Sequence, residues 1–140
     1  MTKNTWYLFK EPYDKGIFYS KMAVFFAERS YRIQFPYLIN SPETSWFVIE
    51  DADKNVIGFS SFEEKKRGVE IGEVFVLGNE ALWQMLVSKT IREAKKKNRS
   101  LLFTAVKTKE EASFFQYKGF KIQRSSKNYL YLEMKVSFIV

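Results

Sequence analysis

A chain of 140 residues with no histidine and no cysteine has a short list of groups that can do chemistry. Ser-His-Asp and Cys-His catalysis are excluded, as are disulfides, thiolate nucleophiles and Cys-ligated zinc; a transition-metal site lacks its usual ligands. Proton transfer then falls to Glu, Asp, Tyr, Lys or the backbone. The carboxylate singled out by its setting is Glu73, in VEIGEVFVL (Val69–Leu77). It shares its alternation with Val69, Ile71, Phe75 and Leu77, an otherwise apolar face. Desolvation there raises a carboxyl pKa toward neutrality, which suits a general base. Gly72 beside it can mark a β-bulge, and a bulge would instead turn Glu73 to solvent or into an ion pair.

The elements that must position Glu73 run from Val69 to Asn98: a strand, the turn Gly78-Asn79-Glu80 and a long helix over about 80–97. Loops at the carboxyl ends of strands in open α/β sheets are where ligands bind, and a helix N-terminus offers unpartnered N–H groups to an anion. The charge distribution points the same way. Residues 1–70 carry ten Lys and Arg against ten Asp and Glu, whereas residues 71–140 carry thirteen against six, so the whole net charge of +7 lies in the half that holds this junction. Such a field favours an anionic partner: a phosphorylated cofactor, a nucleic acid or an acidic protein.

Around the junction the chain reads as a single domain over residues 1–140, with aromatics at 18% supplying much of the core. Thr5–Lys10 is a short strand, ended by Glu11-Pro12. Apolar residues at 17, 18, 22, 25 and 26 predict an amphipathic helix over about 14–29. Tyr31–Ser45, with Pro36 and Pro42, predicts irregular structure with at most one helical turn, its aromatics Tyr31, Phe35 and Tyr37 filling the core or lining a pocket. Strands at 46–50, 56–64 and 69–77, joined by short turns, form an antiparallel meander. Ser100–Val106 is a near-continuous apolar run that follows a strand–helix unit, which places it parallel to 69–77 by a right-handed crossover. Thr108 and Glu111 form a capping box for a helix that stops at Gly119. Strands at 120–125 and 129–136 close the chain as a hairpin. The fold class is therefore mixed α/β: a mostly antiparallel sheet flanked by helices, with a parallel pair (69–77 with 100–106) at its centre.

This order of elements, with Gly119-Phe120 ending the last helix and the aromatic hairpin Tyr129–Met134, resembles the GNAT superfamily of acyl-CoA-dependent N-acyltransferases over roughly Trp46–Val136. The resemblance implies transfer of an acetyl group from acetyl-CoA to a primary amine, on a small molecule or a protein. It implies coenzyme lying against Val74, Phe75, Val76, Leu77, Gly78, Asn79 and Ala81, a backbone N–H of the splayed strand polarising the thioester, and Glu73 taking the ammonium proton. Two features depart from the family. Its basic loop of the form Q/R-x-x-G-x-G/A, which wraps the coenzyme pyrophosphate, is replaced by Gly78-Asn79-Glu80, so a simply capped helix is as good a reading of the turn as a phosphate cradle. The Tyr that often protonates the leaving thiolate, four residues before the helix-ending Gly, is Phe115. Tyr117 is the remaining candidate for that role, although it lies about 200° round the helix from Phe115; packing is its other reading.

A second function is also open: a non-catalytic GNAT-like binding module with a basic surface, its partner a protein or a nucleic acid. Lys65–Arg67, Lys95–Lys97 with Arg99, and Lys118, Lys121, Arg124 and Lys127 would supply the charge, and Tyr129 and Tyr131 would stack on bases. No run approaches the ~18 apolar residues of a membrane span. The opening MTKNTWYLFKEPYDK has no signal-peptide core, so a cytoplasmic location is expected.

Overall fold

The computed structural model describes residues 3–136. In chain order they form β1 (Thr5–Phe9), α1 (Lys15–Ala27), α2 (Arg29–Gln34), β2 (Thr44–Glu50), β3 (Val56–Glu64), β4 (Val69–Val76), α3 (Glu80–Lys95), β5 (Leu101–Val106), α4 (Lys109–Tyr117), β6 (Lys121–Ser125) and β7 (Leu130–Lys135). The strands make one sheet in the order β1-β2-β3-β4-β5-β7-β6. β4 and β5 are parallel, and every other neighbouring pair is antiparallel. The mixed α/β class and the central parallel pair are as the sequence predicts.

Local chemistry sets the element ends. In the β2–β3 turn the Asp51 carboxylate accepts from the N–H groups of Asp53 and Asn55, both at 2.9 Å. The Asn79 side chain caps α3 by accepting from Leu82 N–H at 2.9 Å. α4 carries the expected capping box, with Glu111 N–H on the Thr108 hydroxyl and Thr108 N–H on the Glu111 carboxylate, each at 3.1 Å. It ends where Gly119 takes φ +108°, a region that disfavours a side chain.

Each sheet face has its own core. On one, Leu86, Val87 and Ile91 of α3 and Phe115 of α4 pack on Phe62, Val69, Ile71, Leu102 and Leu132. On the other, Phe18, Met22 and Phe25 of α1 pack with Phe35 on Trp46, Val48 and Phe59. Phe59 is fully buried and touches four rings, Phe25, Phe35, Trp46 and Phe75, with centroids 4.9–6.2 Å away.

One expectation needs correcting here. α1 is not cleanly amphipathic: Ile17 and Val24 are exposed on its outer side. Within Tyr31–Ser45 the helical part is Tyr31–Gln34, about one turn as expected, and it is the end of a six-residue helix, α2, that begins at Arg29. Pro36 confines that helix, because the residue before a proline is pushed out of the helical region. Phe35 there is core, Tyr31 stacks against it at 6.2 Å, and Tyr37 is exposed.

Candidate active site

The two central strands run together only briefly. β4 and β5 pair from Val69 with Leu102 to Ile71 with Thr104. Beyond that point β4 stays with β3 up to Val76 and β5 stays with β7 up to Val106. At the parting point the buried Thr104 hydroxyl donates to the Ile71 carbonyl at 2.8 Å. Thr104→Val orphans that carbonyl, and we expect urea unfolding to show a loss of about 1–3 kcal/mol, the cost of an unsatisfied buried acceptor.

At the same level β4 bulges. Ser60 lies opposite Val74 and Phe62 opposite Ile71, so two residues, Gly72 and Glu73, face the single Ser61. A Cβ on Gly72 would lie 2.4 Å from the Ser61 hydroxyl oxygen, a close approach that glycine permits. The extra residue swaps the alternation of the strand. Val69 and Ile71 belong to the core under α3, whereas Phe75 belongs to the aromatic core on the other face. Glu73 therefore does not share the face of Val69 and Ile71, as plain alternation implies. It is turned neither fully to solvent nor into an ion pair: it is half-buried, and among the described residues no cation lies within pairing distance. Burial holds its pKa above the ordinary 4.5, Lys107 opposing the shift and Glu111 adding to it.

Glu73 opens on one side into a cleft of about 610 Å³. The cleft is lined by Tyr37, Leu38 and Ile39 from the α2–β2 loop, Ser61 and Glu63 of β3, Glu70 of β4, and Ala105 and Tyr129. Lys65 sits between Glu63 and Glu70, 3.6 Å from each. Three carboxylates against one ammonium leave this cleft acidic in a chain of net charge +7, a field that draws in an amine. Burial, followed by Tyr37 and Glu73, pushes the Tyr129 pKa up, which keeps its phenol protonated.

On its other side Glu73 borders an inner pocket of about 40 Å³ between the parted strands, shared with Thr104, Val106 and Phe115. Trp83 of α3 closes that pocket. Its indole N–H donates to the Val74 carbonyl at 3.0 Å, and its ring packs on Phe114 and Phe115 at 5.7 and 6.3 Å. Outside Trp83 lies a third hollow of about 480 Å³, lined by Val76, Gly78, Asn79, Glu80, Glu110 and Glu111 among others. Its charged lining residues are all carboxylates.

The residues expected to meet coenzyme are thus dispersed. Val76, Gly78 and Asn79 line the outer hollow, with the Asn79 side chain spent on capping. Val74 offers a carbonyl already held by Trp83. Leu77 donates its N–H to Ile57 at 2.8 Å, Phe75 turns into the aromatic core, and Ala81 is exposed and lines none of these hollows. Tyr117 is 81% exposed, with its ring 6.0 Å from that of Phe114, and it lines none of the three hollows. Phe115 is buried against Phe120. Trp83, which falls within the helix read over about 80–97, is the site residue that the pattern missed; an indole N–H on a half-buried helix face was the signal, since such a donor needs a partner.

Much of the basic surface is tied down within the chain. Arg67 pairs with Glu133, Arg99 lies 3.7 Å from Glu64, Lys96 is 2.8 Å from Glu93 and Arg124 covers the Tyr131 ring at 3.8 Å. Lys107 reaches back to donate to the Gln34 carbonyl at 2.8 Å. No helix among the described residues is long and apolar enough to cross a membrane.

No family model matches the sequence, and no curated protein matches it. Solved structures do. An acetyltransferase from Bacillus subtilis in complex with CoA superposes with a TM-score of 0.65, covering 96% of this chain and 100% of that one at 19% identity. A probable acetyltransferase from Staphylococcus epidermidis gives 0.67, covering 96% and 100% at 14% identity. A GNAT family acetyltransferase from Elizabethkingia anophelis with acetyl-CoA bound gives 0.63, covering 95% and 98% at 14% identity. Together with the strand order and the parted parallel pair, these likenesses establish that the chain has the GNAT fold.

Proposed function

We propose that the chain is a divergent acyl-CoA-dependent N-acyltransferase that places an acetyl group on a primary amine held in the acidic cleft. The observation that carries this reading is the position of Glu73, at a bulge where β4 leaves β5 and where a cleft from one face meets a pocket from the other. A proton acceptor is needed at such a meeting point, because an ammonium group has no lone pair until it loses a proton. Burial makes Glu73 a stronger base than an exposed glutamate.

Acetyl-CoA, when bound, supplies the activated acyl group. The parted edge of β4, from Val74 to Val76, fits its slender thioester arm once Trp83 moves aside. The outer hollow does not fit its diphosphate, since Glu80, Glu110 and Glu111 line it without a cation. The chain's own part is to draw in the amine with Glu63, Glu70 and Glu73, to accept its proton on the Glu73 carboxylate and to hold its nitrogen at the gap between the strands. The proton released as the amide forms satisfies the departing sulfur. Phe115 supplies no acid for that step, and a thiol pKa of about 8.5 makes one dispensable near neutrality.

The closed slot favours a second reading, a GNAT-fold binding module without catalysis that takes cationic ligands in the same cleft. Release of free thiol from acetyl-CoA and from S-acetylpantetheine, followed across primary amines, decides between them. Amine-dependent release supports the acyltransferase. Amine binding by calorimetry with no release at any amine concentration overturns it in favour of the binding module.

A further inference from the structure

The three hollows are linked by the residues they share. The cleft and the inner pocket share Gly72, Glu73, Ala105 and Tyr129, while the inner pocket and the outer hollow share Trp83 and Glu111. Of these last two, Glu111 is held at the head of α4 by its capping box. Trp83 is held by one hydrogen bond and two ring contacts. The passage from the outer hollow to Glu73 is therefore interrupted chiefly by one side chain on a helix that is otherwise fixed. At about 40 Å³ the inner pocket holds roughly one water, whose share of liquid volume is about 30 Å³.

We propose that Trp83 is the gate of the donor slot, and that the slot selects an uncharged amide-and-thioester arm rather than a nucleotide diphosphate. This rests on the acyltransferase reading and specifies how its donor enters. The argument is one of exchange. When the indole swings out, the Val74 carbonyl loses an N–H donor, and an amide N–H of the entering arm replaces it, so one hydrogen bond is traded for another. The ring leaves a slit walled by Phe114, Phe115, Val74 and Val76, apolar surface that suits an alkyl-amide chain and repels a phosphate. The carboxylates outside sharpen the choice, because they disfavour the charged end of a donor and leave its neutral end unaffected.

The test uses S-acetylpantetheine, which is the arm without the diphosphate, and acetyl-CoA, each titrated by calorimetry into wild type, Trp83→Ala and Trp83→Phe. Trp83→Ala is expected to bind S-acetylpantetheine at least tenfold more tightly than wild type, and acetyl-CoA no more tightly than S-acetylpantetheine at low salt. In wild type labelled with 5-fluorotryptophan, the fluorine signal lost in Trp83→Phe is expected to move on saturation with S-acetylpantetheine. A cooperatively melting Trp83→Ala that binds the arm no better than wild type overturns the gate. If that variant fails to fold, Trp83→Phe decides, since it keeps the bulk and removes the N–H: tighter binding supports the gate and unchanged binding overturns it. Acetyl-CoA binding much more tightly than the bare arm overturns the selectivity. Binding of the arm without any amide product removes the acyltransferase reading and leaves the gate standing. Amide product with an unmoved Trp83 signal removes the gate and leaves the reading.

Discussion

Glu73→Gln is expected to lower acyl transfer at neutral pH on the order of 10²–10⁴-fold, the usual worth of a positioned general base. The substitution keeps the shape of the side chain and its place at the bulge and removes its charge and its basic lone pair. The loss should therefore appear in kcat, with binding of a neutral amine analogue nearly unchanged. In wild type the rate should rise with pH through an ionisation above the ordinary glutamate range, since burial raises the Glu73 pKa; in the variant that limb should vanish. Stability should move the other way. A carboxyl whose folded pKa lies above its unfolded value binds more protons in the folded state, so its contribution to stability is present below about 4.5 and is lost as pH rises through the folded pKa. Glu73→Gln should thus melt above wild type at pH 7, and the difference should close below pH 4.5. Full activity in the variant would remove Glu73 from the chemistry, and an unchanged melting temperature would remove the argument from burial.

The largest effect on stability is expected from Phe59→Ala. Phe59 is fully buried on β3 and joins rings from α1, the α2–β2 loop, β2 and β4. Truncation removes a large apolar group and leaves a cavity that neighbours from four segments cannot fill at once. Losses of about 3–5 kcal/mol follow for a core phenylalanine, a large share of the roughly 5–15 kcal/mol that holds a domain together. Urea unfolding of the purified variant measures it, and a loss under about 1.5 kcal/mol, within what a volume-conserving core swap costs, would mean the cluster repacks. Phe75, one of the rings that loses its neighbour, lies two residues from Glu73. The surviving folded protein should therefore lose catalytic rate as well as stability.

Much of this arrangement can be read in the residues. β3 runs from Val56 to Glu64 as its pattern predicts, because Asp51–Asn55 and Lys65–Gly68 are turn chemistry on either side. The parallel placement of β5 follows from a strand, a helix and a strand in succession, which leaves a single common handedness. The capping box and Gly119 bound α4 for equally local reasons. What escaped the residue pattern depends on contacts between distant segments. A period-2 reading carries Glu73 onto the face of Val69 and Ile71; Gly72 marks where a bulge could intervene, and the pairing of β4 with β3 shows the extra residue that moves Glu73 off. Trp83 looks like any other residue of an apolar stripe until Val74, nine positions earlier, is seen beneath its N–H. The outward apolar side of α1 is hidden for the same reason, since composition alone does not say which side a sheet will cover.

The bulge has a bearing on how this chain can evolve. β4 serves two cores, and its halves obey opposite alternations that meet at Gly72 and Glu73. Replacing the Glu73 side chain leaves both halves in phase with their own core. Deleting one of these two residues leaves Ser61 a single partner and restores plain alternation, with Ile71, Val74 and Val76 still on the α3 face and Phe75 still in the aromatic core. The frames of both cores thus survive the gain or loss of one residue here, so the extra step of the strand that carries Glu73 is one that packing does not require.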